Sequence, residues 1–386
     1  MPAQAWQPSP QEPSNRRGVT PTTTHQGAIM VNWNATFTQQ IRTSRRTLWG
    51  NWGLNSAIKP GAVGTVDPAT GDFQFIGMIP DPQIVTQATS NQWTIESEHV
   101  TKQQASVALD GAATDPETGT KITVGTELTW SMQSAGSMIS NFSLAQEDVV
   151  ANPGNLAQNQ WAWLMEQAQS VGRSSGNGIT QGFGIVTDVL WARSGLNVGA
   201  LSDNTSFSLK GSASGVNDLI GAQAGGKGSY VNSTENKSVD KHLWPDKANT
   251  TASEPIPIAF GFASFEGQLI MPNWTSEISS FQLVLNNQHG GTYIVKANLS
   301  YNTPSGRGSH SVSVSGGLVA TIGAIPLNAT NLQLDLSFKG VFSDENKSFK
   351  WDTPLGTWYD GLRHIDLYGV WPGRTNAVDV EASLTP

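Results

Sequence analysis

The strings in this chain that come nearest to reaction machinery each lack a part their chemistry needs. Gly172-Arg173-Ser174-Ser175-Gly176 spells G-x-S-x-G, but a serine nucleophile of that type follows a strand and opens a helix. Here the string closes a helical pattern and opens a glycine-rich stretch, so it reads as a helix stop. The run from Gly221 to Gly228 approaches a phosphate loop, which needs a hydroxyl after its Lys to hold magnesium and a helix beyond it. Gly228 follows Lys227 instead, and Ser229 to Asn232 carry no helical pattern. His25, His99, His242, His289, His310 and His364 lie too far apart for a local metal motif, and no cofactor is expected. Asp188, Glu266, Asp360 and Asp366 could act as a glycosidase acid and base only if folding paired two of them. The chain is read as non-enzymatic, with a hydrolase as the third-ranked alternative.

Composition narrows the partners. Net charge is −8, with 22 Lys and Arg against 30 Asp and Glu, whereas a duplex-binding surface clusters cations to neutralise phosphates. The pairs Arg16-Arg17 and Arg45-Arg46 are read as solvated surface, and nucleic acid is not an expected partner. Charged residues make up 13% of the chain against roughly 25% in typical domains, a texture found among lectins, capsid-like proteins and β-structured toxins. Absence of Cys rules out disulfides, thiol nucleophiles and thiolate metal sites. No apolar run approaches the ~20 residues of a membrane helix, and residues 1–29 lack the apolar core of a secretory signal. The expectation is a soluble protein, secreted or otherwise released. Sequons such as Asn141, Asn204 and Asn298 are attributed to chance in so Asn- and Ser-rich a chain.

The segment 205–231 is the most informative. Phe207, Leu209, Gly211 and Ala213 alternate with Ser206, Ser208, Lys210 and Ser212; Ala222, Ala224, Gly226, Gly228 and Tyr230 then alternate with polar residues, Gly225 and Val231. Val216, Leu219 and Ile220 form an apolar tip between them. Each arm has about the ~9–11 residues a bilayer-spanning strand needs, with small or apolar side chains on one face. In that texture the segment resembles the insertion hairpins of β-pore-forming toxins, a likeness that covers under a tenth of the chain. The resemblance implies surface binding, homo-oligomerisation and hairpin insertion, because an isolated hairpin cannot satisfy its backbone groups in lipid. The plainer reading is a surface hairpin with Phe207 and Leu209 tucked into the core. A second insertion candidate is 92–110 with 121–132, although the bulk of Ile122, Leu128, Trp130 and Met132 suits a permanent core.

Trp351, Trp358, Tyr359 and Trp371, interleaved with Asp360 and Arg363, form a candidate surface that could stack on a glycan or contact a lipid headgroup.

The elements that would position these segments follow from periodicity. Residues 1–29 are rich in Pro, Thr and Gln and are expected to be a disordered arm. Trp33, Phe37 and Ile41 predict a helix to about Arg46. Asp67-Pro68-Ala69-Thr70-Gly71 and Asp115-Pro116-Glu117-Thr118-Gly119 predict two turns, and Ile122 to Met132 a strand. Ala157, Trp161, Leu164, Ala168 and Val171 predict one helix, stopped at Gly172. A strand over Phe183 to Trp191 and a connector over 232–257 come next. Ile256, Ile258, Phe260 and Phe262 open a run of short alternating strands. The expected fold is α+β, predominantly β: residues 30–253 as long antiparallel strands with one or two packed helices, and 254–386 as a C-terminal antiparallel β-sandwich. The functional expectation is a membrane-active pore-forming protein whose partner is membrane lipid or a cell-surface glycan or receptor. Its rival is a glycan-binding or self-assembling structural β protein.

Overall fold

Four-residue spacing puts Trp33, Phe37 and Ile41 on one buried face of α1 (Trp33–Arg42). Asn32 starts this helix, its side-chain oxygen accepting from Ala35 N at 3.0 Å, which satisfies one donor that a first turn leaves open. β1 (Leu48–Gly50), β2 (Ala62–Val66), β3 (Phe73–Met78) and β4 (Ile84–Gln87) follow. The 67–71 turn closes an antiparallel hairpin with Val66 opposite Phe73, and Gly71 takes the left-handed position at φ +76°. These elements belong to a computed structural model that describes residues 31–115, 119–176, 178–222, 227–289, 292–339, 344–370 and 373–384, apart from the side chains of 110–113 and 384. The expected arm 1–29, and positions 116–118 of the second expected turn, lie outside the described residues.

The middle of the chain is mostly strand. β5 (Gln92–Glu96), β6 (Val100–Thr114), β7 (Lys121–Met132) and β8 (Met138–Val150) are followed by α2 (Pro153–Asn159) and α3 (Trp161–Ser170). The single helix expected here is broken at Gln160, which leaves helical geometry at φ −105°, ψ 17°. Ala157, Leu164 and Ala168 keep their buried stripe, while Val171 is exposed. Gly172 ends the run at φ +67°, as its position predicts. Then come β9 (Ser174–Ser175), β10 (Gly178–Ile179), β11 (Phe183–Ala200), β12 (Thr205–Gly211), α4 (Ala213–Leu219), β13 (Asn232–Glu235), β14 (Val239–Trp244), β15 (Ile256–Glu266) and β16 (Leu269–Met271). The expected connector at 232–257 thus holds two strands.

β11 is the spine of the largest sheet. It pairs with β8 on one side, and with β15 and then β14 on the other. Register shifts near Val186, Leu190 and Ala192 let this 18-residue strand bend. At Gly195 the crossing is so close that a Cβ would lie 2.1 Å from the Phe142 ring, so only glycine fits.

The remaining strands are β17 (Phe281–Asn286), β18 (Val295–Thr303), β19 (Gly306–Val314), β20 (Val319–Ile325), β21 (Thr330–Phe338), β22 (Glu345–Trp351), β23 (Leu362–Gly369) and β24 (Thr375–Asp379). They form two sheets, ordered β20-β17-β23-β24 and β19-β18-β21-β22. Leu283, Leu285, Val295, Leu299, Leu334 and Leu336, the period-two residues of the sequence, are buried together in one core. One pairing, β17 with β23, is parallel. The protein is α+β and predominantly β, as its sequence predicts. The expected boundary at 254 is corrected: β15 pairs with β1 and β11, so the sandwich strands start at Phe281. Ile256, Ile258, Phe260 and Phe262 alternate in the sequence, but Ala259, Gly261 and Ala263 between them are buried as well, because both faces of β15 are covered.

α1 packs on β11 where Gly199 leaves room; a Cβ there would meet the Trp33 ring at 2.6 Å. Trp33 in turn stacks on Trp52 at 5.4 Å. Gly199→Val is expected to cost about 1–3 kcal/mol through overpacking, measured as a lower urea midpoint with altered tryptophan fluorescence. An unchanged midpoint would show that α1 is not seated on this strand.

Candidate functional site: a folded strand ribbon

At one end of the large sheet, β5, β8, β11 and β14 are neighbours in that order. Between β5 and β8 the chain departs through β6 and β7, and between β11 and β14 through β12, α4 and β13. Both excursions leave from the same end, where Glu96 is opposite Ile139, Met138 opposite Gly199 and Ala200 opposite Val239. They build a second sheet, β6-β7-β12-β13, in the same order as the strands they continue. Register crosses the bend as well. β8–β11 pairing ends at Met138 opposite Gly199, and β7–β12 pairing begins at Met132 opposite Thr205. The step is six residues on each strand, 132 to 138 and 199 to 205, so the two central strands are one ribbon folded back on itself. The outer strands take up a symmetric offset. From Glu96–Ile139 to Val100–Met132 the chains advance four and seven residues, as they do from Val239–Ala200 to Glu235–Phe207.

The second sheet has two unlike faces. Leu128, Trp130, Met132, Phe207 and Leu209 are buried against Ile139, Leu196, Val198 and Ala200 of the first sheet. Trp130 and Phe207, directly opposite in the ladder, stack at 6.1 Å. On the other face Thr129 and Ser208 share a hydrogen bond of 2.8 Å, and Lys210 pairs with Glu127 at 3.5 Å. The apolar stripe runs past the core: Val124 is 68% exposed. Glu96 Oε1 accepts from Trp130 Nε1 at 3.3 Å and from Asn141 Nδ2 at 3.2 Å, which ties the stacked sheets together.

The expected hairpin at 205–231 is corrected. β12 pairs with β7 and β13, and residues 213–219 are α4, whose cap Ser212 accepts from Gly215 N at 3.0 Å. The stretch 227–231 forms no strand. A glycine-rich arm has no side chains to pack in a ladder, so the flanking strands with larger residues took its place. Among the candidate insertion residues, Phe207, Leu209, Val216, Leu219, Ile220 and Tyr230 are gathered into one core, Ala213 and Ala222 are exposed, and Ala224 lies outside the described residues. Ser194 Oγ donates to Asp218 O at 3.3 Å, seating α4 on the bend of β11.

Polar atoms are trapped inside the first sheet. Ser140 Oγ, Asn141 Oδ1 and Asn197 Oδ1 are buried without a partner, although Asn197 Nδ2 donates to Trp52 O at 2.8 Å. Each such atom costs about 1–3 kcal/mol, so these strands carry residues ill suited to a sealed core.

The C-terminal aromatic surface is also corrected. Trp358 is 1% exposed, and Trp351 is buried against it at 5.2 Å. Arg363 is buried in an ion pair with Asp379 at 2.7 Å. Tyr359 is half-buried, Asp360 is exposed and Trp371 lies outside the described residues. Tryptophans spaced this way fill the gap between two sandwich sheets. The exposed apolar residues lie instead at one pole of the sandwich: Ile294, Leu318, Val319 and Val370, the last 62% exposed. Hydrogen bonds from Asn287 N to Leu318 O, Thr292 N to Gly369 O and Lys339 N to Ile294 O gather these loops. No periodicity announces such a set, since its members come from separate loops.

The four carboxylates considered for hydrolysis each have their own surroundings. Asp188 is half-buried in β11, where desolvation pushes its pKa up, and it accepts from Thr187. Glu266 accepts from Gln181, Asp366 from Asn286 and Tyr368, and Asp360 from Leu362 N. Among the described residues no helix is long and apolar enough to cross a membrane, which says nothing about strands.

No family model and no curated protein matches the chain. Solved structures aligning over most of it include one described as a Gram-negative toxin, at 11% identity and TM-score 0.22, over 84% of this chain and 85% of that one. Another is the human-specific toxin intermedilysin, at 8% identity and TM-score 0.20, over 85% and 86%. A disulfide-locked intermedilysin with human CD59 aligns at 10% identity and TM-score 0.20, over 85% of each chain. Superpositions this loose define no shared site.

Phe207→Ala is expected to cost about 3–5 kcal/mol, the range for a buried aromatic, in chemical denaturation. A loss under about 1 kcal/mol would mean that the second sheet is not packed on the first.

Proposed function

We propose that this is a membrane-active, pore-forming protein that binds a target surface, assembles edge to edge and opens its folded ribbon into a transmembrane β-barrel. One observation carries the reading: β7–β12 continues the register of β8–β11. Opening the bends at 133–137 and 201–204 would lengthen the ribbon without re-pairing its central strands. β7 has 12 residues, enough for the ~9–11 of a spanning strand. Its apolar stripe would face lipid and its Ser, Thr and Glu a wet lumen. The inserted element is then the whole second sheet, with 205–231 as part of it.

A four-stranded sheet alone leaves two unpaired edges, which lipid does not tolerate. β6 and β13 are those edges, continued into the first sheet by β5 and β14, and each of the four is paired only with its inner neighbour among the described residues. Joining the β5 edge of one copy to the β14 edge of the next is a head-to-tail contact that can close into a ring. Initial contact is assigned to the sandwich pole around Leu318 and Val370, with membrane lipid or a cell-surface receptor as partner. The proposed activity is non-enzymatic, needs no cofactor and belongs to a protein released in soluble form.

Val124 and Thr123 are both exposed before opening and lie on opposite faces of β7. Val124→Asp should leave the urea midpoint unchanged and abolish dye release from vesicles or target-cell membranes, since a charge that faces lipid near the bilayer midplane is destabilising. Thr123→Asp should retain release. Equal effects would sink the face assignment, and no release from any membrane would leave the non-lytic β-protein reading.

A second test uses the cysteine-free background. A Thr129→Cys, Ser208→Cys disulfide joins residues that stay opposite in the folded and opened ribbon, so dye release should persist after oxidation. Loss of release that reductant restores would show that β12 must part from β7.

A further inference from the structure

Where the α1–β1 connection meets the base of the sandwich, a cleft of about 830 Å³ is lined by Arg42, Arg45, Arg46, Thr275, Tyr359 and Arg363, with further Ser and Thr hydroxyls between them. That volume falls in the range of small-molecule sites. Two of the cations are neutralised inside the protein: Arg45 by Glu147 at 3.2 Å and Arg363 by Asp379 at 2.7 Å. Arg42 is not. Its Nε donates to Leu48 O at 3.0 Å and its Nη1 to Thr275 O at 3.3 Å. One face of its guanidinium lies 4.0 Å over the Trp49 ring, and its Nη2 is buried without an acceptor. Burial lowers its pKa to about 10, so it is charged at neutral pH. Arg46 is exposed beside it, with no ion pair among the described residues. Against these two cations, Asp360 is the one lining carboxylate without a cationic partner among the described residues, since Glu381 holds His364 and Arg363.

A half-buried guanidinium with one N–H of Nε and one of Nη1 on carbonyls, a buried Nη2 without an acceptor and no counter-charge among the described residues lacks an anion. Arginine forks match tetrahedral oxyanions, and the Ser and Thr hydroxyls of the lining can accept from the hydroxyls of a sugar. We propose that this cleft binds a phosphate- or sulfate-type oxyanion carried on a sugar. It is separate from the membrane contact assigned above: β23 begins in the cleft at Leu362 and ends beside the exposed pole at Gly369. The site stands whether or not the ribbon opens.

The test is calorimetric titration of the full chain at low ionic strength, where surface charges are least screened, with sucrose octasulfate, sucrose and inorganic sulfate as probes. Vesicles of phosphatidylcholine with and without sulfatide form a second arm, which separates a lipid-borne source from a soluble one. Saturable binding of the sulfated sugar is expected, with none of sucrose and only weak binding of sulfate. Arg42→Met should weaken it about tenfold or more. Because Arg42 also packs on Trp49, the decisive pair is on the exposed rim: Arg46→Ser should weaken binding several-fold and Asp360→Asn should strengthen it. Opposite signs at two rim positions are not produced by a general loss of stability. Absence of saturable binding, indifference to both rim substitutions, or inorganic sulfate binding as tightly as the sugar would overturn the proposal.

Discussion

A strand's backbone groups must stay paired wherever the strand goes, and the β7–β8 and β11–β12 chains meet that demand with one register on both sides of a bend. The rest of the candidate site depends on this continuity. Strand order repeats from the first sheet to the second because each strand of the second is the continuation of its counterpart in the first. Pairing therefore need not distinguish a folded ribbon from an open one. What distinguishes them is the surface that covers the apolar face, which in the folded chain is the Ile139, Leu196 and Val198 side of the first sheet.

Hydrophobic burial holds the fold-back closed, since removing Trp130, Phe207 and their neighbours from water outweighs the local costs around them. Those costs are specific. Asn141 and Asn197 leave side-chain oxygens unpaired in the interior, and Gly195 and Gly199 keep side chains out of places where Phe142 and Trp33 press close. Buried polar atoms and glycine contacts add little stability to a permanent core and would suit strands that later meet water. In the proposed reading the soluble protein is closed by a removable cover, and lipid supplies the alternative one.

The sandwich shows the same preference for filling volume first. Trp351 and Trp358 close the gap between its sheets, and Arg363 is consumed by Asp379 beneath them. Apolar residues left over at the pole come from loops with no shared periodicity, held together by backbone hydrogen bonds. At the opposite end, two arginines without an acidic partner among the described residues line a polar cleft. The two ends of one small domain thus differ in character, apolar at one and arginine-lined at the other.

Local periodicity was enough for the fold class, for α1, for the 67–71 hairpin and for the alternation of β7, because each depends on side chains within a turn or two of one another. It also singled out 205–231 and, as a second candidate, 92–110 with 121–132, but as two separate hairpins, whereas β12 pairs with β7. It could not tell that the arms around 205–231 take partners from elsewhere, because a glycine-rich arm pairs with whichever strand offers larger side chains, and that competition is settled across the whole chain. Nor could it tell that β15 is covered on both faces, or which tryptophans are interior. Burial is a property of what arrives on the far side of a strand. Alternation reports which residues share a face, and only the packed structure decides what that face meets.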